Sequence, residues 1–159
     1  MNRNSRGRRI VDKQRALETI ELEMAILIRR VTSNITSSKF GTLDRSAYLL
    51  LHQIHAHGSA GVRALADEFH LDISTVSRQA AALEQKGYVI RSPDPSDKRA
   101  FALQITEFGI RELQATKQAR LERVTELLKD WSEEECVLFG ELLKKFNRAA
   151  SSSSGQTDR

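Results

Sequence analysis

The chain has 159 residues, of which 40% are hydrophobic and 29% charged, within the range of ordinary soluble globular proteins. No apolar run approaches the length needed to cross a bilayer, the N-terminus has no apolar signal core, and one cysteine allows neither an internal disulfide nor a multi-cysteine zinc site, so a cytoplasmic protein is expected. The formal charge of +4 sits mainly at the N-terminal end, where residues 1–15 hold six basic side chains against one acid, while residues 61–106 hold six of each.

Residues 1–9 are polar and aperiodic, as are residues 150–159 with their serine run, and both read as disordered because neither can bury apolar surface. The first regular element is a long amphipathic helix carrying Leu17, Ile20, Met24, Leu27, Val31 and Ile35 at intervals of three and four. A second helix follows Asp44, a capping residue, with the stripe Ala47, Leu50, Leu51, Ile54, and it ends near Gly58.

The most informative stretch is residues 62–106. Val62, Leu65, Ala66 and Phe69 form a short helix, His70-Leu71-Asp72 a tight turn, and residues 73–86 a second helix with Asp72 as its expected cap. That second helix buries Val76, Ala80 and Leu83 and opens on Ser74, Thr75, Ser77, Arg78 and Gln79, all able to hydrogen-bond. Two short helices joined by a turn, the second starting with small hydroxyls and an arginine, describe a helix-turn-helix. A helix entering the major groove N-terminus first needs a small polar opening turn. Its serines and threonine can reach phosphate or base edges, and Arg78 can clamp guanine O6 and N7. Two ordinary surface helices with a capping aspartate are the competing reading of this pair.

Gly87 stops the helix. Tyr88-Val89-Ile90-Arg91 reads as a strand, and Phe101, Leu103 and Ile105 alternate with Ala102 and Gln104 as its return partner. The turn-forming SPDPSDKR lies between them, so a two-stranded wing with a basic tip is expected. Arg99 is the candidate for insertion into a narrow minor groove, with Asp97 orienting it through a charged pair.

Two more helices close the chain, one over residues 107–130 with Ile110, Leu113, Leu121, Val124 and Leu128, and one opening at Trp131-Ser132-Glu133-Glu134-Glu135-Cys136. Ser132 and Glu135 fit a capping box, Trp131 and Cys136 a hydrophobic staple, and Leu138, Leu142, Leu143 and Phe146 continue the stripe. Both helices are too apolar to stand alone, and a second copy of the chain is the expected partner.

The segments LADEFHLDISTVSRQAAALEQKGYVIR and DPSDKRAFALQITEFG resemble the MarR family of bacterial regulators, and the likeness spans roughly residues 17–146. The resemblance implies a mainly α, winged helix-turn-helix homodimer with interlocked N- and C-terminal helices, binding double-stranded DNA at a near-palindromic operator. It also implies repression or activation of genes for drug, phenolic or oxidative stress, usually relieved by a small ligand, for which a small aromatic or phenolic effector is the candidate here. DNA contact carries over to Ser74, Thr75, Ser77, Arg78 and Gln79 in the helix and to Lys98 and Arg99 in the wing. The peroxide-sensing branch uses a cysteine in the first long helix, which has none here; Cys136 reads as a packing thiol. Tyr48 lies one turn before His52 on one helix face, and the two are candidate lining for an effector cavity. Plain surface histidines are the alternative, and no ligand spacing for a metal is present, so neither metal nor other cofactor is expected.

The expected organisation is a basic arm (1–9), a dimerisation helix (10–44), a DNA-binding lobe (45–106), C-terminal dimerisation helices (107–149) and a tail (150–159). No nucleophile–base pair, paired carboxylates or phosphate loop points to an enzyme. The competing function is a winged-helix protein that acts through protein contacts with weak DNA specificity.

Overall fold

A computed structural model describes residues 4–33, 41–93 and 101–154 of the chain. The chain divides into two units, Met1–Ser38 and Lys39–Arg159. The first contains a single helix, α1 (Asn4–Ser33). It starts inside the segment expected to be a disordered arm. Arginine is a good helix former, and extending an existing helix costs far less than nucleating one. Leu17, Ile20 and Leu27 of the expected stripe are exposed on α1, and so is Leu22 outside it, so the apolar surface of the helix is wider than the stripe.

In the second unit the order is α2 (Arg45–His57), β1 (Ala60–Gly61), α3 (Val62–Phe69), α4 (Ile73–Gln85), β2 (Val89–Pro93), β3 (Phe101–Ile105), α5 (Glu107–Leu127) and α6 (Glu133–Ser154). Helix α2 starts because the Asp44 carboxylate accepts from the Ala47 amide at 2.8 Å, and it stops at Gly58, whose φ is 76°. Its buried residues are Ala47, Leu50, Leu51 and Ile54, the expected stripe. These meet Leu65 and Ala66 of α3, Val76, Ala80 and Leu83 of α4, Val89 and Leu103 of the sheet, and Leu113 of α5 in one core.

The sheet has three antiparallel strands in the order β1-β3-β2, where two were expected. The extra strand pairs Ala60 with Leu103 and Gly61 with Ala102, and this covers Ala102 completely enough to leave it 2% exposed. At two residues it is too short to leave a period in the sequence. Strand β2 runs on to Pro93, which is tolerated because β2 is an edge strand and needs no amide donor on its open side.

Helix α5 ends at Leu127, three residues before the expected Asp130, and only the start of its stripe reaches the core: Leu113 is buried, while Leu121 and Val124 are exposed. Helix α6 opens on a closed capping box. The Glu135 carboxylate accepts from the Ser132 amide at 2.8 Å, and Ser132 Oγ accepts from the Glu135 amide at 3.2 Å. The Trp131 ring meets Phe139 edge-on at 5.4 Å, and Cys136, its expected staple partner, is half-buried. The helix extends to Ser154, into the expected tail. Ser151 and Ser152 donate to the carbonyls of Asn147 and Arg148, which satisfies their hydroxyls within the helix. Among the described residues no helix is long and apolar enough to cross a membrane.

Candidate nucleic-acid interface

Helix α3 packs on α4 across a turn in which His70 takes the left-handed conformation (φ 51°), with its amide and that of Leu71 bonded back to α3. A side chain can occupy this region at modest cost, and here it lets the chain reverse within three residues. Asp72 stands at the N-cap of α4 with extended backbone, and its carbonyl accepts from Thr75 and Val76. Its carboxylate makes no cap bond, contrary to expectation. The carbonyl bonds already close the first turn, and the exposed carboxylate stays in solvent.

Val76, Ala80 and Leu83 face the core, so the opposite face of α4 carries Ser74, Arg78, Ala81, Ala82 and Gln85, all exposed. Ser77 is exposed on one flank, and Thr75 and Gln79 are half-buried on the other. Arg78 Nη2 donates to Thr75 Oγ1 at 3.5 Å, one turn earlier. The five helix residues expected to touch DNA therefore share one element. Ser74 and Arg78 stand outermost, with Gln79 at the edge. The alanines at 81 and 82 went unremarked in the sequence; they keep the outward face low.

The end of α4 leads directly into the wing. Gly87 has φ 74°, its amide donates to the Glu84 carbonyl, and Tyr88 donates to Leu83, which reverses the chain into β2. Arg91 in β2 reaches back to α4, its Nε donating to Glu84 Oε2 at 2.9 Å. The wing's expected contact residues, Lys98 and Arg99, and the supporting Asp97 lie outside the described residues.

The other end of the hairpin enters α5 through Thr106. Its Oγ1 donates to the Gly87 carbonyl at 2.7 Å and accepts from the Gly109 amide at 3.0 Å, while its own amide donates to Tyr88 O at 3.0 Å. Tyr88 packs its ring on Phe108 at 5.3 Å. Burial, with the nearby Glu112 carboxylate adding to it, raises the Tyr88 phenol above its ordinary pKa.

Tyr48 and His52 are brought together, with ring centroids 6.2 Å apart. A third member was missed in the sequence: the Arg120 guanidinium of α5 lies over the Tyr48 ring, 4.6 Å from its centroid. Nothing in local spacing links it to α2, because the tertiary packing of α5 on α2 makes the contact.

Two helices in helix-turn-helix order, followed by a small antiparallel sheet whose hairpin projects beside the second helix, define a winged helix-turn-helix protein. The MarR family model matches residues 43–101, from just before α2 to the first residue of β3. The chain is 47% identical over 140 residues to the HTH-type transcriptional regulator YxaD of Bacillus subtilis, covering 87% of this chain and 98% of that one. It belongs to the MarR family of helix-turn-helix transcriptional regulators. Solved structures share the fold. A MarR family protein from Bacillus stearothermophilus aligns with a TM-score of 0.65 at 21% identity, over 84% of this chain and 97% of that one. An organohalide-sensing regulator in its 2,4-dichlorophenol-bound form aligns with a TM-score of 0.66 at 16% identity, over 87% and 85%.

Proposed function

We propose that this chain works as a homodimeric, sequence-specific DNA-binding repressor of a near-palindromic operator, released by a small aromatic ligand. The observation that carries the reading is the outward face of α4. It combines hydrogen-bonding Ser74, Arg78 and Gln85 with small Ala81 and Ala82, and all five are exposed. A helix is about 10–12 Å across and the major groove about 12 Å wide, so a face of small residues is what allows close approach to base edges. Arg99 of the wing enters the adjoining minor groove in this reading, oriented by Asp97 and assisted by Lys98 at the backbone.

Dimerisation rests on apolar side chains that the single chain leaves in solvent. On α6, Leu138, Leu142, Leu143 and Phe146 recur at helical spacing and are 44–60% exposed, and α1 carries Leu17, Ile20 and Leu27 in the same state. Exposed apolar surface on this scale marks an association site. Two copies present two recognition helices, which need a separation of about 34 Å to read successive half-sites.

Release by a ligand rests on Arg120, Tyr48 and His52. The ring supplies a stacking surface and the guanidinium an anion partner, which together suit an aromatic acid, and the structural neighbour solved with a bound phenol has the same fold.

Fluorescence anisotropy of the protein with the DNA upstream of its own gene tests the central claim. Tight, salt-dependent binding that exceeds binding to scrambled DNA is expected. Equal affinity for both sequences would favour the alternative of a winged-helix protein acting through protein contacts. Calorimetry with salicylate, on the parent and on His52→Ala and Arg120→Ala, tests the ligand claim separately; unchanged heats in the variants would remove it.

A further inference from the structure

We propose that Glu84 and Arg91 are positioning residues that brace strand β2 of the wing against the recognition helix, so that α4 and the wing strands are presented to DNA at a fixed angle. The inference rests on the DNA-binding reading above. Glu84 lies in the last turn of α4 and Arg91 in the middle of β2, and their side chains meet at 2.9 Å. Among the described residues this is the side-chain hydrogen bond that ties α4 to the wing strands.

Its place in the fold explains why a tie is needed there. Val89 is 1% exposed and anchors the base of β2, but Ile90 is 52% exposed, and Arg91 and Pro93 are exposed as well. Beyond Val89 the side chains of β2 therefore leave the core, and β2 is the edge strand, held on one side by β3, whose Leu103 and Ala102 stay buried opposite Arg91 and Ser92. Arg91 pairs with Leu103 on that side, so its bond to Glu84 restrains the open edge of the hairpin relative to α4. Both partners are more than a third exposed, with side chains 46% and 39% accessible, so the pair contributes little to global stability. Its effect is on direction. The Glu84 carboxylate also occupies the guanidinium of Arg91, which distinguishes this arginine from Arg78, whose partner is a neutral hydroxyl.

The full-length protein is compared as parent, Glu84→Gln, Arg91→Gln, and the exchanged pair Glu84→Arg with Arg91→Glu. Each single variant is expected to weaken binding to the upstream DNA about three- to tenfold. The melting temperature and the slope of log K against log salt should stay unchanged, and the exchanged pair should recover most of the loss. In the free protein, amide hydrogen exchange in β2 and β3 should quicken in the single variants and return in the exchanged pair. A merely structural surface pair would move neither affinity nor wing exchange, and that result overturns the proposal. It is also overturned if Arg91→Gln lowers the salt slope by about one while Glu84→Gln tightens binding, since Arg91 is then itself a phosphate contact. If the parent binds no DNA, the DNA-binding reading fails, and the exchange comparison alone decides the brace.

Discussion

A β-carbon on Gly109 would overlap the carbonyl oxygen of Tyr88. The closeness follows from Thr106, which bonds to the carbonyls of Gly87 and Tyr88 and also caps α5 through the Gly109 amide. The first turn of α5 is thereby seated on the turn that ends the recognition helix. Gly109→Ala forces backbone apart and should cost about 1–3 kcal/mol. Thr106→Val keeps the shape but loses the hydroxyl's bonds, at about 1–2 kcal/mol. Thermal unfolding followed by circular dichroism should show both variants melting several degrees below the parent.

The two helix-capping aspartates should behave differently. Asp44→Ala removes a formed cap bond and should destabilise by about 1 kcal/mol, whereas Asp72→Ala has no such bond to lose and should cost only a few tenths. Urea melts measure this difference. Asp72→Ala also removes a negative charge at the helix start proposed to face the groove, so its DNA affinity should rise.

Arg78 stands outermost on α4 with its guanidinium loosely held by Thr75. Arg78→Ala should relax discrimination at one base pair per half-site by roughly 1–3 kcal/mol. Competition with operators changed at single positions would reveal which one; equal losses at every position would instead assign Arg78 to the phosphates.

Leu142→Asp puts a charge in the middle of the α6 stripe, where Leu142 is 53% exposed in the single chain. Sedimentation at micromolar concentration should then give monomer where the parent gives dimer. Ser74→Ala, on the reading face, should leave the dimer intact.

Tyr88 provides a pH signature. Its phenol titrates above the ordinary value of 10.0 when folded, so the folded chain holds the proton more tightly than the unfolded chain. The stabilisation is complete below that ordinary value and is lost as pH climbs through the raised one. Chemical unfolding across alkaline pH should show the parent losing stability there and Tyr88→Phe losing less.

What could be read from the sequence was whatever repeats with a helical period or ends on a residue of special chemistry. The stripes of α2 and α4 are visible because their buried residues recur every three or four positions, and the turns at Gly58 and Gly87 because each needs a positive φ. Strand β1 has two residues and hence no period. The Asp72 carboxylate was assigned a bond that local geometry gives to its carbonyl. Arg120 on Tyr48 and Arg91 on Glu84 are tertiary meetings of exposed polar residues, which no hydrophobic pattern encodes. Residues 94–100, expected from their turn formers to hold the wing tip, lie outside the described residues.

Gly61 pairs with Ala102 as the last residue of β1 and is also the N-cap of α3. No linker separates the sheet from the helix-turn-helix, so α3 cannot pivot without dragging β3, the strand that carries one side of the hairpin. The reading head therefore has no internal hinge at this end. Under the proposed release by a ligand, a signal could not loosen one finger of the grip; it would have to swing the whole hand.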